Sequence, residues 1–192
     1  GRLVVLPTVS WHRDEYAALG VPFHQRGEIL DETLAAWSVL WRGSPASFQG
    51  RHFSFSNVWF EPAASRPTGP TLWFGGQSAH PRMARRLARY GSGWLPLGPA
   101  TPADVQAVAT AMKEERRSFD ELEIVGGITG IFRDATGVAS LDEALAQVAP
   151  QAASGVRAVL VKPSQFVDRA DRFPEFAREI VAKVKRLGLA GR

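Results

Sequence analysis

Residues 75–78, Gly-Gly-Gln-Ser, form the grouping in this chain best suited to bind an anion. They follow the apolar run Thr71–Phe74 and precede a segment carrying Arg82, Arg85, Arg86 and Arg89. Where a strand gives way to a helix, free backbone N–H groups and the helix dipole attract phosphate. Ser78 adds a hydroxyl donor, and Arg82, in the first helical turn, is within reach of the same anion. A tight turn with Ser78 as N-cap explains these residues without any ligand. The residues by themselves leave both readings open. Arg85, Arg86 and Arg89 fall at positions expected mostly to face solvent.

Other chemistry is thin. The four histidines, His12, His24, His52 and His80, show no His-x3-His spacing, and there are no cysteines, so no metal site is expected. No Ser-His-Asp set or carboxylate pair can be built from spacing, and no catalytic residue is assigned. Trp11 and His12 follow the first apolar run and would border a pocket, while His80 would lean toward an anion on the turn. Asp14 and Glu15 open a helix, where carboxylates suit the dipole. Trp94, ending the next apolar run, reads as packing.

The elements that must position these groups are legible in outline. Residues 2–9 read as a short buried strand. Leu30, Leu34, Trp37 and Trp41 repeat as one helical face, Asp31 and Glu32 lie toward that helix's N-terminal side, and Gly43 ends it. Phe53, Phe55 and the run to Phe60 alternate as in a hairpin with Gln49-Gly50 near its turn, and 62–70 is a proline-rich connector. Strands at 71–74, 93–97, 122–132 and 156–161 then alternate with helices near 79–90, 102–118, 140–153 and 173–186. On the last helix Phe173, Phe176, Ile180, Val184 and Leu187 make an apolar stripe.

Such alternation indicates a parallel sheet with right-handed crossovers. A closed barrel uses eight strands and about 250 residues, more than this chain has. An open doubly wound sheet suits the count, yet its G-x-G-x-x-G signature is absent. Alternation alone does not choose between them.

At 192 residues and 45% hydrophobic, the chain has the composition of one folded domain. Its 23 basic and 19 acidic residues give a net charge of +4, without the long basic block of a nucleic-acid binder. No run approaches a membrane span and no signal-peptide pattern opens the chain. The lack of cysteine fits a cytoplasmic protein. The chain opens at Gly1 on a strand-like run, which points to further sequence upstream.

Five segments in order, GRLVVLPTVSWHRDEYAALGVPFHQRGEILDETLAAWSVLW, SFQGRHFSF, LWFGGQS, RRLARYGSGWLPLG and GVRAVLV, resemble the C-terminal part of the luciferase-like monooxygenase superfamily. The resemblance is to its branch dependent on coenzyme F420 or flavin mononucleotide (FMN), and it covers nearly the whole chain. It implies a TIM (β/α)8-barrel type that is incomplete here, with about the last five strands plus a β-hairpin insertion. Relatives carry roughly three further βα units upstream, on the order of 100 residues.

It further implies that Gly75, Gly76, Gln77 and Ser78, with Arg82, hold the phosphate of coenzyme F420 or FMN. The cofactor would carry the hydride chemistry on a small organic substrate. In relatives the first strand ends in alternating glycines, where this chain has Leu6, Thr8 and Ser10, side chains expected to occupy space beside the cofactor ring. The alternative is an inactive truncated homologue serving as a binding or oligomerisation module. Open strand edges favour pairing with another chain, and a homo-oligomer is expected.

Overall fold

Thr71–Gly76 form β4, and its burial pattern suits a strand inside a sheet rather than at its edge: Leu72 and Phe74 are almost fully buried while Thr71 and Trp73 are half-buried. The computed structural model describes residues 3–98, 100–134 and 137–188. Hydrogen bonding orders the larger sheet β1-β4-β5-β6-β7, with a separate two-stranded sheet β2-β3. The remaining strands are β1 (Val4–Val5), β2 (Ala46–Gln49), β3 (Ser54–Val58), β5 (Gly93–Pro96), β6 (Glu123–Ile128) and β7 (Ala158–Val161). The helices are α1 (Arg13–Ala18), α2 (Arg26–Arg42), α3 (Pro81–Tyr90), α4 (Pro102–Glu114), α5 (Leu141–Leu145), α6 (Val148–Ala153) and α7 (Phe173–Arg186).

The chain clusters into two compact units. One runs to Trp94 and includes Thr101–Leu122; the other holds Leu95–Ala100 and the residues from Glu123 onward. In the first, β1 pairs parallel with β4, Val4 opposite Thr71 and Val5 opposite Leu72. This strand is far shorter than the run 2–9 expected from the sequence, of which residue 2 lies outside the described residues. Leu3, Val4 and Leu6 are exposed at 63%, 44% and 45%, so among the described residues no layer covers its apolar side chains.

The carboxylates of α2 are used differently from the sequence expectation. The helix begins at Arg26, which leaves Asp31 and Glu32 past its first turn. Glu32 accepts the backbone N–H groups of Arg51, His52 and Phe53 at 3.0, 2.7 and 2.6 Å, pinning the hairpin turn to the helix. Desolvation pushes its pKa up, but those backbone bonds outweigh it and hold the carboxyl below 4.5. In the hairpin, Phe48 stacks on Phe55 with centroids 5.8 Å apart.

In the second unit, β6 and β7 pair parallel, Val125 opposite Ala158 through Ile128 opposite Val161. Ile128, Ala144, Leu145, Val148, Phe166 and Phe176 form its core, with Phe166 and Phe176 stacked 5.7 Å apart. The single helix expected over 140–153 is two. Pro150 cannot donate to the carbonyl of Ala146 and its ring crowds that carbonyl, so the break falls at Ala146–Gln147. On α7, Phe176, Ile180 and Val184 pack onto the core, whereas Phe173 and Leu187 of the expected stripe are exposed at 48% and 42%.

Candidate functional site

Gly75 and Gly76 close β4, and Gln77 and Ser78 form the bend that leads to α3. Neither glycine has a positive φ, so neither is required for the chain to reverse. At Gly76 a Cβ would meet only the Ser78 carbonyl, at 3.7 Å, which is ordinary contact. Backbone conformation and internal packing therefore both fail to explain the glycine at 76. What it provides is an open approach to the backbone. Gln77 and Ser78 are exposed, and among the described residues neither side chain has a hydrogen-bond partner.

The helix cap is not Ser78. His80 takes that place with φ −62° and ψ 155°, its Nδ1 accepting the Met83 N–H at 3.3 Å. Pro81 follows at the first helical position, where its missing N–H costs nothing. Partial burial, then the charges of Arg86 and Arg82, push the His80 imidazole below 6.5, so at neutral pH it is uncharged and able to accept. Ser78 is left free of any capping duty.

Sequence reasoning missed the residue that steadies this bend. Asp104 accepts the Ala79 N–H at 2.7 Å and also the Thr101 N–H and hydroxyl, at 3.1 and 2.6 Å. Thr101 in turn accepts the Asp104 N–H, completing a capping box at the start of α4. The Thr101 hydroxyl first, then the Ala79 and Thr101 amides, hold the Asp104 carboxyl below 3.8. The signal was present in the run Thr101-Pro-Ala-Asp104, which has capping-box spacing. Its reach to Ala79 was not visible. One backbone donor of the bend is thus already engaged by a carboxylate, leaving the Gln77 amide and the Ser78 hydroxyl as outward-facing donors.

The arginines divide unexpectedly. Arg86, expected at the surface, is 8% exposed; its Nε donates to Asp31 Oδ1 at 2.5 Å and a second nitrogen to the Gly27 carbonyl at 2.7 Å. Burying this charge is possible because a carboxylate and a carbonyl both meet it. Arg82 is exposed, and its guanidinium also lies beside Gly27: a Cβ there would be 3.2 Å from it. The structure gathers Gly75, Gly76, Gln77 and Ser78 at one strand end and sets the Arg82 head against the first turn of α2. Arg85 and Arg89 face solvent as expected.

Around the first strand, Trp11 is 83% exposed and His12 stands at the N-cap position of α1 without a side-chain capping bond, with Asp14 and Glu15 in the first turn. Leu6 and Thr8 are exposed, while Ser10 is occupied. Its hydroxyl donates to Glu15 at 2.8 Å and accepts the His12 N–H, so it brackets α1. Trp94 is buried edge-on against Phe119, 6.3 Å away, in agreement with packing. No group of acidic, histidine or cysteine side chains among the described residues could hold a metal ion, and no described helix is long and apolar enough to cross a membrane.

Comparison with known proteins adds relatives to this geometry. A family model described as luciferase-like monooxygenase matches residues 1–187. A phthiodiolone/phenolphthiodiolone dimycocerosates ketoreductase of Mycobacterium tuberculosis (strain CDC 1551 / Oshkosh) is 32% identical over 139 residues, 67% of this chain and 34% of the relative. Its counterpart in Mycobacterium kansasii is 32% identical over 127 residues, 60% of this chain and 33% of that protein. The chain thus spans about a third of the length of these curated relatives.

Among solved structures, monooxygenase RslO1 from Streptomyces bottropensis matches with a TM-score of 0.56 at 19% identity, covering 80% of this chain and 46% of that one. The coenzyme F420 dependent tetrahydromethanopterin reductase from Methanopyrus kandleri matches with a TM-score of 0.51 at 15% identity, covering 79% and 54%. At such identities the likeness is one of fold: α/β, a parallel sheet of TIM-barrel type, of which this chain supplies a part.

Proposed function

The chain belongs to the luciferase-like monooxygenase family, and from that premise we propose that it is the phosphate-holding part of an oxidoreductase using FMN or coenzyme F420. Gly75, Gly76, Gln77 and Ser78 would receive the cofactor's phosphate, and the substrate would be a small organic molecule. The observation that carries this reading is Gly76, whose missing side chain serves neither backbone conformation nor internal packing. A cradle that a side chain would fill, beside two unengaged donors, fits a phosphate group. The charges of Arg86 and Arg82, which add to burial in lowering the His80 imidazole, suit an anion as well. The reductase with the Methanopyrus kandleri fold match is named as coenzyme F420 dependent, which is consistent with a deazaflavin here.

When bound, such a cofactor supplies hydride transfer. The chain's own part is to bind and orient. The Ser78 hydroxyl and the Gln77 amide would donate to phosphate oxygens, and Gly76 would let them approach the backbone. Asp104, by holding Ala79, keeps the bend in one conformation. His80 stays neutral and fixes the start of α3, so the donors precede a rigid helix.

The test is a fluorescence titration of the purified chain with FMN and, separately, with coenzyme F420. Saturable binding is expected for one of them, weakened about tenfold or more, at least 1.4 kcal/mol, in a Ser78→Ala, Gly76→Val double variant. That variant should melt like the wild type, because Ser78 is exposed and a Cβ at 76 has room. Unchanged affinity in it removes the bend from the site.

A second reading is favoured by a different observation, the exposed Leu3, Val4 and Leu6 along β1 with Trp11 beyond them. On it the chain is an association module without activity of its own. Absence of binding to either cofactor would favour this reading over the first.

A further inference from the structure

A cavity of about 460 Å³ opens in the first unit, away from the bend at Gly76. It lies where α2 and α3 end: Trp41 and Arg42 close α2, and Arg89 and Tyr90 close α3. Its floor reaches Leu72, near the beginning of β4, whereas Gly76 is at the strand's far end. Four residues of extended chain separate them by about 13 Å, so a molecule in this cavity would not touch the bend.

The lining has a definite chemical character. Trp41 and Tyr90 are half-buried and supply flat apolar walls, while Ser38 and Thr68 add hydroxyls. Among the described residues no carboxylate lines the space. Arg42 and Arg89 are exposed, and neither has an acidic partner within ion-pair distance among the described residues. The Arg89 guanidinium lies 5.3 Å from the Tyr90 ring centroid, at the cavity wall.

Arginines at helix C-termini also complement the dipole, and that role must be weighed. Each helix end carries about half a negative charge, against a full positive charge on each arginine. Two arginines over two helix ends therefore leave a surplus of about one positive charge. The dipoles do not consume it.

The wall facing the helices is built rather than incidental. Gly69 has φ +76°, and a Cβ on it would lie 2.1 Å from the Trp41 ring, so only glycine lets this loop close against the indole. The turn is tied by the Gly69 N–H to the Arg66 carbonyl at 2.8 Å, which sets Pro67 and Thr68 opposite α2. Burial first, opposed by Arg89 and reinforced by the carboxylates of Asp31, which is paired with Arg86, and Glu115, raises the Tyr90 phenol above 10, so it remains a neutral hydrogen-bond donor at physiological pH.

We propose that this cavity is a binding site for a small planar aromatic anion, with its ring between Trp41 and Tyr90 and its acidic group between Arg42 and Arg89. The volume lies within the range of small-molecule sites, roughly 300–1,000 Å³. Guanidinium groups both pair with oxyanions and stack on aromatic faces, which matches the two parts of such a ligand.

The experiment is isothermal titration calorimetry of the whole chain with naphthalene-1-sulfonate and, separately, with the neutral naphthalene-1-methanol. Wild type should bind the sulfonate saturably, and an Arg42→Gln, Arg89→Gln double variant about tenfold or more weakly. Both side chains are exposed, so that variant should keep its melting temperature. A second variant, Ser38→Phe, fills the space without touching either charge and should abolish binding. Failure of the sulfonate to saturate overturns the proposal. So does unchanged affinity in the arginine variant, or equal affinity for the alcohol. The bend at Gly76 is untouched by either variant, so cofactor titrations stand or fall independently.

Discussion

Arg86 shows how a single side chain can invert an expectation. Its charge predicts solvent, yet Asp31, 55 positions earlier, and the Gly27 carbonyl take it inside. Asp31→Ala leaves the buried guanidinium with the carbonyl alone and should cost roughly 1–3 kcal/mol, read by urea denaturation. A loss within error would show that water replaces the carboxylate freely. No local pattern could have announced this pair, because helical periodicity says nothing of a partner on another helix. Gly76 is the contrary case. The sequence presents it as a feature of the bend, and the structure narrows its purpose by excluding conformation and packing.

At the level of elements, the bend and the start of α4 form one device through Asp104. Its carboxyl titrates lower when folded than its ordinary 3.8. The stability it contributes is complete above that value and is lost as pH falls through the lower, folded one. Asp104→Asn should therefore melt below the wild type at neutral pH, with the gap closing on acidification below 3.8. A gap independent of pH would mean that the charge is immaterial.

Alternation of strands and helices was readable because buried strands and amphipathic helices leave different periods. The final helix was placed at 173–186, as found. Boundaries governed by single residues were not. Pro150 divides one expected helix, and α4 stops at Glu114, with Arg116 at φ 58° beyond it, rather than running to 118. The bend that follows β4 was legible as a strand end from its glycines and serine together. The cap at His80 was not, since histidine is an uncommon choice there.

For the molecule as a whole, the exposed apolar row at Leu3, Val4 and Leu6 and the short pairing of β1 make self-association the expected behaviour in solution. Light scattering at rising concentration should show species larger than one chain, and Leu6→Lys should shift them toward the monomer. A monodisperse monomer in the unmodified chain would contradict this.

The pairing of Val4 with Thr71 has a further consequence for how the chain acquires its structure. Everything in α1, α2 and the β2–β3 hairpin lies between the two partners, so their contact closes a long loop. Local pieces, the hairpin and α2 with its Glu32 clasp, need no such closure and should form sooner. During synthesis Val4 and Val5 leave the ribosome well before their mate exists. The pairing of β1 with β4 therefore waits until the chain through Gly76 has been made. In the finished protein, the amides of β1 should exchange with deuterium ahead of those in β4 and β5.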